Sequence, residues 1–152
     1  IKLNVKKVVK HYALNKSFIT SSDLGWGTNF NSEDRKTFKG LLTAKKHTAK
    51  NFDLYDENLK SLREIITLCK KNNINILFIT TPTHKSYYQN LNKIQLEKTT
   101  KTISEIVKDN SNCKYINLLN SNKFTDEDFH DADHLNEIGA QKLSLFLNNV
   151  IN

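Results

Sequence analysis

The sequence predicts an α/β fold, a three-layer α/β/α domain built on a parallel sheet. Three observations predict it. Residues 55–72 carry apolar side chains at three- and four-residue steps, which is helical periodicity. Two short, largely apolar runs, residues 74–81 and 113–119, have the length and β-branched content of buried strands. Helical stretches precede, separate and follow those runs, and strands that alternate with helices pair in parallel with helices on both faces.

The elements follow in chain order. Residues 5–19 are mixed and read as a short helix running into a strand. Residues 20–34, TSSDLGWGTNFNSED, are rich in Ser, Asn, Asp and Gly and read as a loop. Ser32 with Glu33 and Asp34 behind it has the form of an N-cap, and predicts a helix over 32–51 that Gly40 weakens. The helix over 55–72 turns Leu59, Leu62, Ile65, Ile66 and Cys69 to one side and ends at Asn72 and Asn73. The run INILFITT follows as a strand buried on both faces, closed by Pro82. Residues 83–110 return to helix, interrupted near residues 90–92. CKYINLL is the second strand, residues 120–134 a polar loop, and residues 136–151 a terminal helix capped by Asn136. Its predicted apolar face is Ile138, Leu143, Phe146, Leu147 and Val150.

Bulk properties narrow the function classes. A length of 152 residues suits one domain with a real core. With 38% hydrophobic and 26% charged residues the chain is globular rather than disordered. No apolar run is long enough to form a transmembrane segment. The net charge of +7 invites a nucleic-acid reading. It is disfavoured because Arg35 and Arg63 are the only arginines, and base and phosphate readers depend on the arginine fork. Scattered lysines are a solvated surface. Cys69 and Cys113 fit no metal spacing, and Cys69 falls on an apolar helical stripe. The chain begins at Ile1 and contains no Met, so it reads as a piece of a longer protein.

Chemistry concentrates in FHDADHLNEIGA, residues 129–140. In an open parallel sheet, ligands meet the loops at the carboxyl ends of the strands. The loops after both predicted strands qualify, and this cluster lies in the second. Asp131 and His134 are three apart in a loop that runs into a helix. A carboxylate at that spacing can turn back onto one imidazole nitrogen, fix the tautomer and aim the other nitrogen outward as a base. The bland alternative is a polar loop whose acids favour the helix dipole. A metal site of His130, Asp131, Asp133 and His134 is the sharper rival, disfavoured because Ala-Asp before a capped helix does not align the two histidines.

The run DADHLNEIGA resembles the last conserved block of the SGNH hydrolases, the GDSL-like esterases and acyltransferases. There an Asp-x-x-His pair precedes the C-terminal helix. NILFITTPTHKSYY, residues 75–88, resembles the strand and Pro-containing loop before that block. The resemblance spans roughly residues 55–150. It implies an SGNH/flavodoxin-like fold over a single domain, residues 1–152, with Asp131 as orienting acid and His134 as base. It also implies a bacterial serine esterase or O-acyltransferase acting on an acyl ester, with O-acetyl groups of a cell-surface glycan as the expected substrate. No metal or organic cofactor is implied, and the compartment stays open between cytoplasm and cell envelope. The family's Gly-Asp-Ser nucleophile block is absent, so the upstream part of the same protein is expected to supply the first strand and the serine. In GTNF, Gly27 and Asn29 keep part of the oxyanion block and are candidate oxyanion donors.

The remaining candidates have two readings each. His84 follows the Pro82 turn and either lines a substrate pocket or is a solvated loop histidine, the second being favoured. Tyr87 and Tyr88 stack on a sugar or pack beneath the loop. Trp26, between two glycines, anchors a loop or forms a stacking platform. His11 and His47 have no sequence neighbours to partner them and read as surface residues. Without a nucleophile, the chain would be a non-catalytic structural or glycan-binding module.

Overall fold

The computed structural model describes residues 9, 12–14 and 36–152. Of the expected element over residues 5–19, residues 9 and 12–14 are helical, and the rest of it, the expected loop over 20–34, the Ser32 cap, His11, Trp26, Gly27 and Asn29 lie outside the described residues. Among those described, helices α1 (Gly40–His47) and α2 (Tyr55–Lys71) precede strand β1 (Ile76–Thr80). Helices α3 (Lys85–Tyr88) and α4 (Lys93–Asp109) lead to strand β2 (Cys113–Asn117). A 3-10 turn, Asp126–Asp128, then precedes helix α5 (Glu137–Ile151). The chain is thus a mixed α/β protein with a two-stranded parallel sheet.

The strands pair in register from Ile76 opposite Cys113 to Thr80 opposite Asn117. Parallel strands need a long crossover, which α3 and α4 supply. One face of the sheet carries the core. Ile66, Ile106 and Cys113 are buried at its centre, with Leu59, Leu62, Ile76, Phe78, Ile103 and Val107 packed around them. Alternate residues of β1, Ile76 and Phe78, therefore face α2 and α4, as the two-residue period of a strand requires. All five β1 residues are only half-buried, so the expected full burial on both faces is not reached among the described residues. The predicted stripe of α2 is also narrower than expected. Ile66 is buried, but Ile65 is 54% exposed. Ile138, placed on the inner face of α5 by its spacing, is exposed as well. Both cysteines are free thiols, and burial pushes the Cys113 thiol up, helped by the nearby Cys69.

Helix ends follow local chemistry. Asn73 takes a positive φ of 57° past the end of α2, and the Ile74 amide reaches back to the Cys69 carbonyl at 2.8 Å. That is a left-handed helix stop, which asparagine tolerates better than most residues. The break between α3 and α4 falls where expected, and Asn92 caps α4 by accepting from the Gln95 amide at 2.9 Å.

The largest correction is at α1. Residues 36–39 are irregular rather than helical. Their backbone is used elsewhere: the Lys36 amide donates to the His130 carbonyl at 2.8 Å, and Phe38 stacks on His84 with ring centroids 3.7 Å apart. Gly40, a weakness in the helix reading, is a packing requirement. A Cβ there would lie 2.1 Å from the Ser86 carbonyl carbon and oxygen. Helix α1 thus sits directly on α3.

Candidate functional site

The carboxyl ends of both strands feed one cluster of loops. The Leu118 amide bonds the Thr80 carbonyl, and the Thr83 hydroxyl bonds the Leu119 carbonyl at 3.1 Å. The His84 amide donates to the Ala132 carbonyl at 3.1 Å. The loop after β1 is thereby stitched to the loop that carries the acids and histidines.

That second loop is built from its base upward. Asp128, 2% exposed, accepts from the Thr125 amide and the Lys142 ammonium, both at 2.7 Å. Burial works against its charge, but the Lys142 and Thr125 contacts outweigh it and hold the carboxyl below its usual range. Asn136 is fully buried and joins three segments. Its Oδ1 caps α5 by accepting from the Ile138 and Gly139 amides at 3.0 Å, and its Nδ2 donates to the Glu127 carbonyl at 2.7 Å. An antiparallel bridge between Phe129 and Leu135 closes the loop, and the His130 amide donates to the His134 carbonyl at 2.9 Å.

Inside that closed loop Asp131 turns back on itself. Its Oδ1 accepts from the Asp133 amide at 3.1 Å and the His134 amide at 2.9 Å. The same carboxylate meets His134 Nδ1, at 2.9 Å from Oδ1 and 3.1 Å from Oδ2. The three-residue spacing works because the amides fix the carboxylate before the ring arrives. Burial raises the Asp131 pKa, and the hydrogen bonds from His134 and the Asp133 amide more than reverse that, so the acid sits below its usual range. It stays ionised and accepts from Nδ1–H, which leaves Nε2 as the basic nitrogen of the neutral ring. The His134 side chain is 52% exposed and Asp131 22%. A groove lined by Lys36, Thr37, Lys39, Thr43, Asp131 and Ala132 runs beside the pair.

Three further residues join the site. Asp133 Oδ1 is 3.5 Å from His134 Nδ1, and its Oδ2 is 3.8 Å from His47 Nδ1. His47 Nδ1 in turn lies 2.9 Å from the Tyr87 hydroxyl. Burial and then the Asp131 charge raise the Asp133 pKa, the charges of His134 and His47 opposing them. Burial and Asp133 push the Tyr87 phenol up. His47 is thus a member of the site and not an isolated surface residue. Sequence spacing could not show this, because His47 and Tyr87 are 40 residues apart.

His84 is corrected too. It is 4% exposed, not solvated. Its ring lies between Phe38 and Phe129. Nδ1 accepts from the Ser86 amide at 3.2 Å and contacts the Ser86 hydroxyl at 2.7 Å, and Nε2 is 3.3 Å from Asp126 Oδ1. These contacts make it the post that supports α3 beneath the loop. His130 is 1% exposed and does not join the group able to hold a cation. That group is Asp131, Asp133 and His134, whose ligand atoms all lie within 4.8 Å of one another.

Fold and site together define an α/β protein with a hydrogen-bonded Asp–His pair at the carboxyl end of a parallel sheet. Residues 20–139 match the family model described as Protein of unknown function (DUF1574), and the chain belongs to that family. No curated protein and no solved structure matches it. Among the described residues, no helix is long and apolar enough to cross a membrane.

Proposed function

We propose that this chain carries the acid–base half of an SGNH-like serine esterase or O-acyltransferase, within a three-layer α/β/α domain. The observation that carries the reading is the Asp131–His134 pair: an ionised carboxylate on Nδ1 of a half-exposed imidazole, in a loop that leads into a capped helix. In this reading α5 forms the third layer; Val150 and Ile151 at its end share a hollow with Ile76, Leu77 and Lys114 at the amino-terminal end of the strands.

In the proposed reaction a serine hydroxyl attacks the ester carbonyl and gives its proton to His134 Nε2. Asp131 stabilises the imidazolium that results, and His134 returns the proton to the departing alcohol. A second alcohol or water then accepts the acyl group by the same steps in reverse. The attacking serine is assigned to the region upstream of the described residues, with Gly27 and Asn29 as candidate oxyanion donors. His84 is given a supporting role in place of substrate contact. The substrate class is an acyl ester, with glycan O-acetyl groups as the leading member.

The test is a fluorophosphonate probe on the full-length protein, with mapping of the labelled residue and turnover of an acetyl ester. A labelled upstream serine, and turnover lost in His134→Ala, is the expected result. Asp131→Asn should cost about 10²–10⁴ in rate, the usual worth of an acid–base group. Full turnover in His134→Ala overturns the assignment. Absence of labelling and turnover in the folded wild type favours the non-catalytic, glycan-binding alternative.

A further inference from the structure

The site holds more donor groups than a proton-transferring pair requires. Around Asp133 stand the Asp131 carboxylate, His134 Nδ1 at 3.5 Å and His47 Nδ1 at 3.8 Å. The ligand atoms of Asp131, Asp133 and His134, all from the loop before α5, lie within 4.8 Å of one another, and His47, at the end of α1, stands at the edge of this group, in reach of Asp133. Calcium and magnesium sites are made of oxygen donors. A set with two ring nitrogens suits zinc and its neighbours. Zinc bonds of about 2.0–2.2 Å put tetrahedral ligand atoms about 3.3–3.6 Å apart. The separations from Asp133 to His134 and His47, 3.5 and 3.8 Å, are close to that range, and the half-exposed ring of His47 must rotate inward to reach the other two ligands.

We propose that Asp131, Asp133, His134 and His47 bind a divalent transition-metal ion of the zinc class, and that the ion is an inhibitor of the acid–base pair, not its cofactor. The site stands on geometry alone, and only the inhibitory consequence rests on the proposed hydrolase function. A neutral imidazole carries one proton. Asp131 keeps it on Nδ1, so Nε2 carries the lone pair. A metal on Nδ1 takes the lone pair of that nitrogen, and the ring's single proton moves to Nε2. Nε2–H is a donor and cannot take a proton from a serine. Binding therefore exchanges the two tautomers with no net proton released by the ring.

Calorimetric titration of the full-length, chelator-treated protein with zinc chloride tests the site. One ion per chain with micromolar affinity is expected, weakened about 10–100-fold in both Asp133→Asn and His47→Ala. Asp126→Asn, beside His84 and Lys85 and outside the proposed ligand set, should bind as wild type. Thermal melts of each variant establish that it is folded. Affinity no tighter than millimolar, or unchanged by both substitutions, overturns the site. ¹⁵N NMR of the His134 ring tests the switch without reference to activity. The proton should move from Nδ1 to Nε2 as zinc saturates, and a ring that keeps Nδ1–H overturns the inhibition. If zinc-free protein hydrolyses no ester, the hydrolase reading fails, while calorimetry and ring NMR still decide this one.

Discussion

Gly139 lies against the carbonyl of Asp128 with no space for a side chain: a Cβ at position 139 would sit 2.1 Å from that oxygen. The contact brings the first turn of α5 onto the 3-10 turn that starts the site loop. Gly139→Ala must push the two apart, at about 1–3 kcal/mol for an overpacked contact. A lower urea midpoint with an unchanged slope is expected. A midpoint equal to that of wild type would show that the backbone gives way freely.

Asn136 does two jobs with one amide, capping α5 and holding the Glu127 carbonyl. Asn136→Ala removes both and leaves the Glu127 carbonyl without its amide donor, for a loss of about 2–3 kcal/mol. Asn136→Asp should keep the cap and lose the donor, and so fall between the two. Equal melting temperatures for the Ala and Asp variants would argue that only the Glu127 bond matters.

Acid should undo the base of the loop. The Asp128 carboxyl is held below its ordinary value of 3.8, so its ionised form is preferred in the folded chain. Its contribution is complete above pH 3.8 and is lost as pH falls through the lower folded value. Asp128→Asn should therefore be less stable than wild type at pH 7, with the gap closing at the acid end. A gap that does not change with pH would assign the loss to packing rather than charge.

Asp133 has the opposite sign. Burial raises its pKa above 3.8, so the folded chain prefers it protonated and its charge costs stability at neutral pH. That cost is absent below pH 3.8 and complete once pH has risen through the raised folded value. Asp133→Asn, measured with a chelator present, should melt slightly higher than wild type at pH 7 and equally at low pH. A lower melting temperature at pH 7 would contradict the sign. A stabilising loss would mark Asp133 as kept for function at a cost in stability.

Asp131→Asn should disturb His134 without unfolding the loop. An amide can still accept from the backbone amides of residues 133 and 134, but it no longer carries the charge that favours Nδ1–H. The share of Nε2–H tautomer should rise in ¹⁵N spectra of the ring. An unchanged tautomer ratio would show that the loop backbone, not the carboxylate charge, sets the ring.

What the sequence made legible was what is local. Asp131 and His134 are three residues apart and bond through a turn that needs nothing distant. The spacing of Leu59, Leu62 and Ile66 revealed α2, and the β-branched runs revealed both strands. The misreadings share a cause. His84 looked solvated because its partners, Phe38, Phe129 and Asp126, arrive from other segments. His47 looked solitary because Tyr87 and Asp133 are far along the chain. Residues 36–39 looked helical because nothing in their composition announces a bond to His130.

Two of the ties that position the acid–histidine loop from outside, Lys36 N–H to His130 C=O and His84 N–H to Ala132 C=O, use main-chain atoms alone. Such ties are indifferent to which side chains stand at the four positions. Burial of His84, His130 and Ala132 limits what fits at those positions, but neither bond needs a particular side chain to form. Proline is the exception, because it has no amide hydrogen to give. Its exclusion from positions 36 and 84 is the only trace these two struts would leave in an alignment.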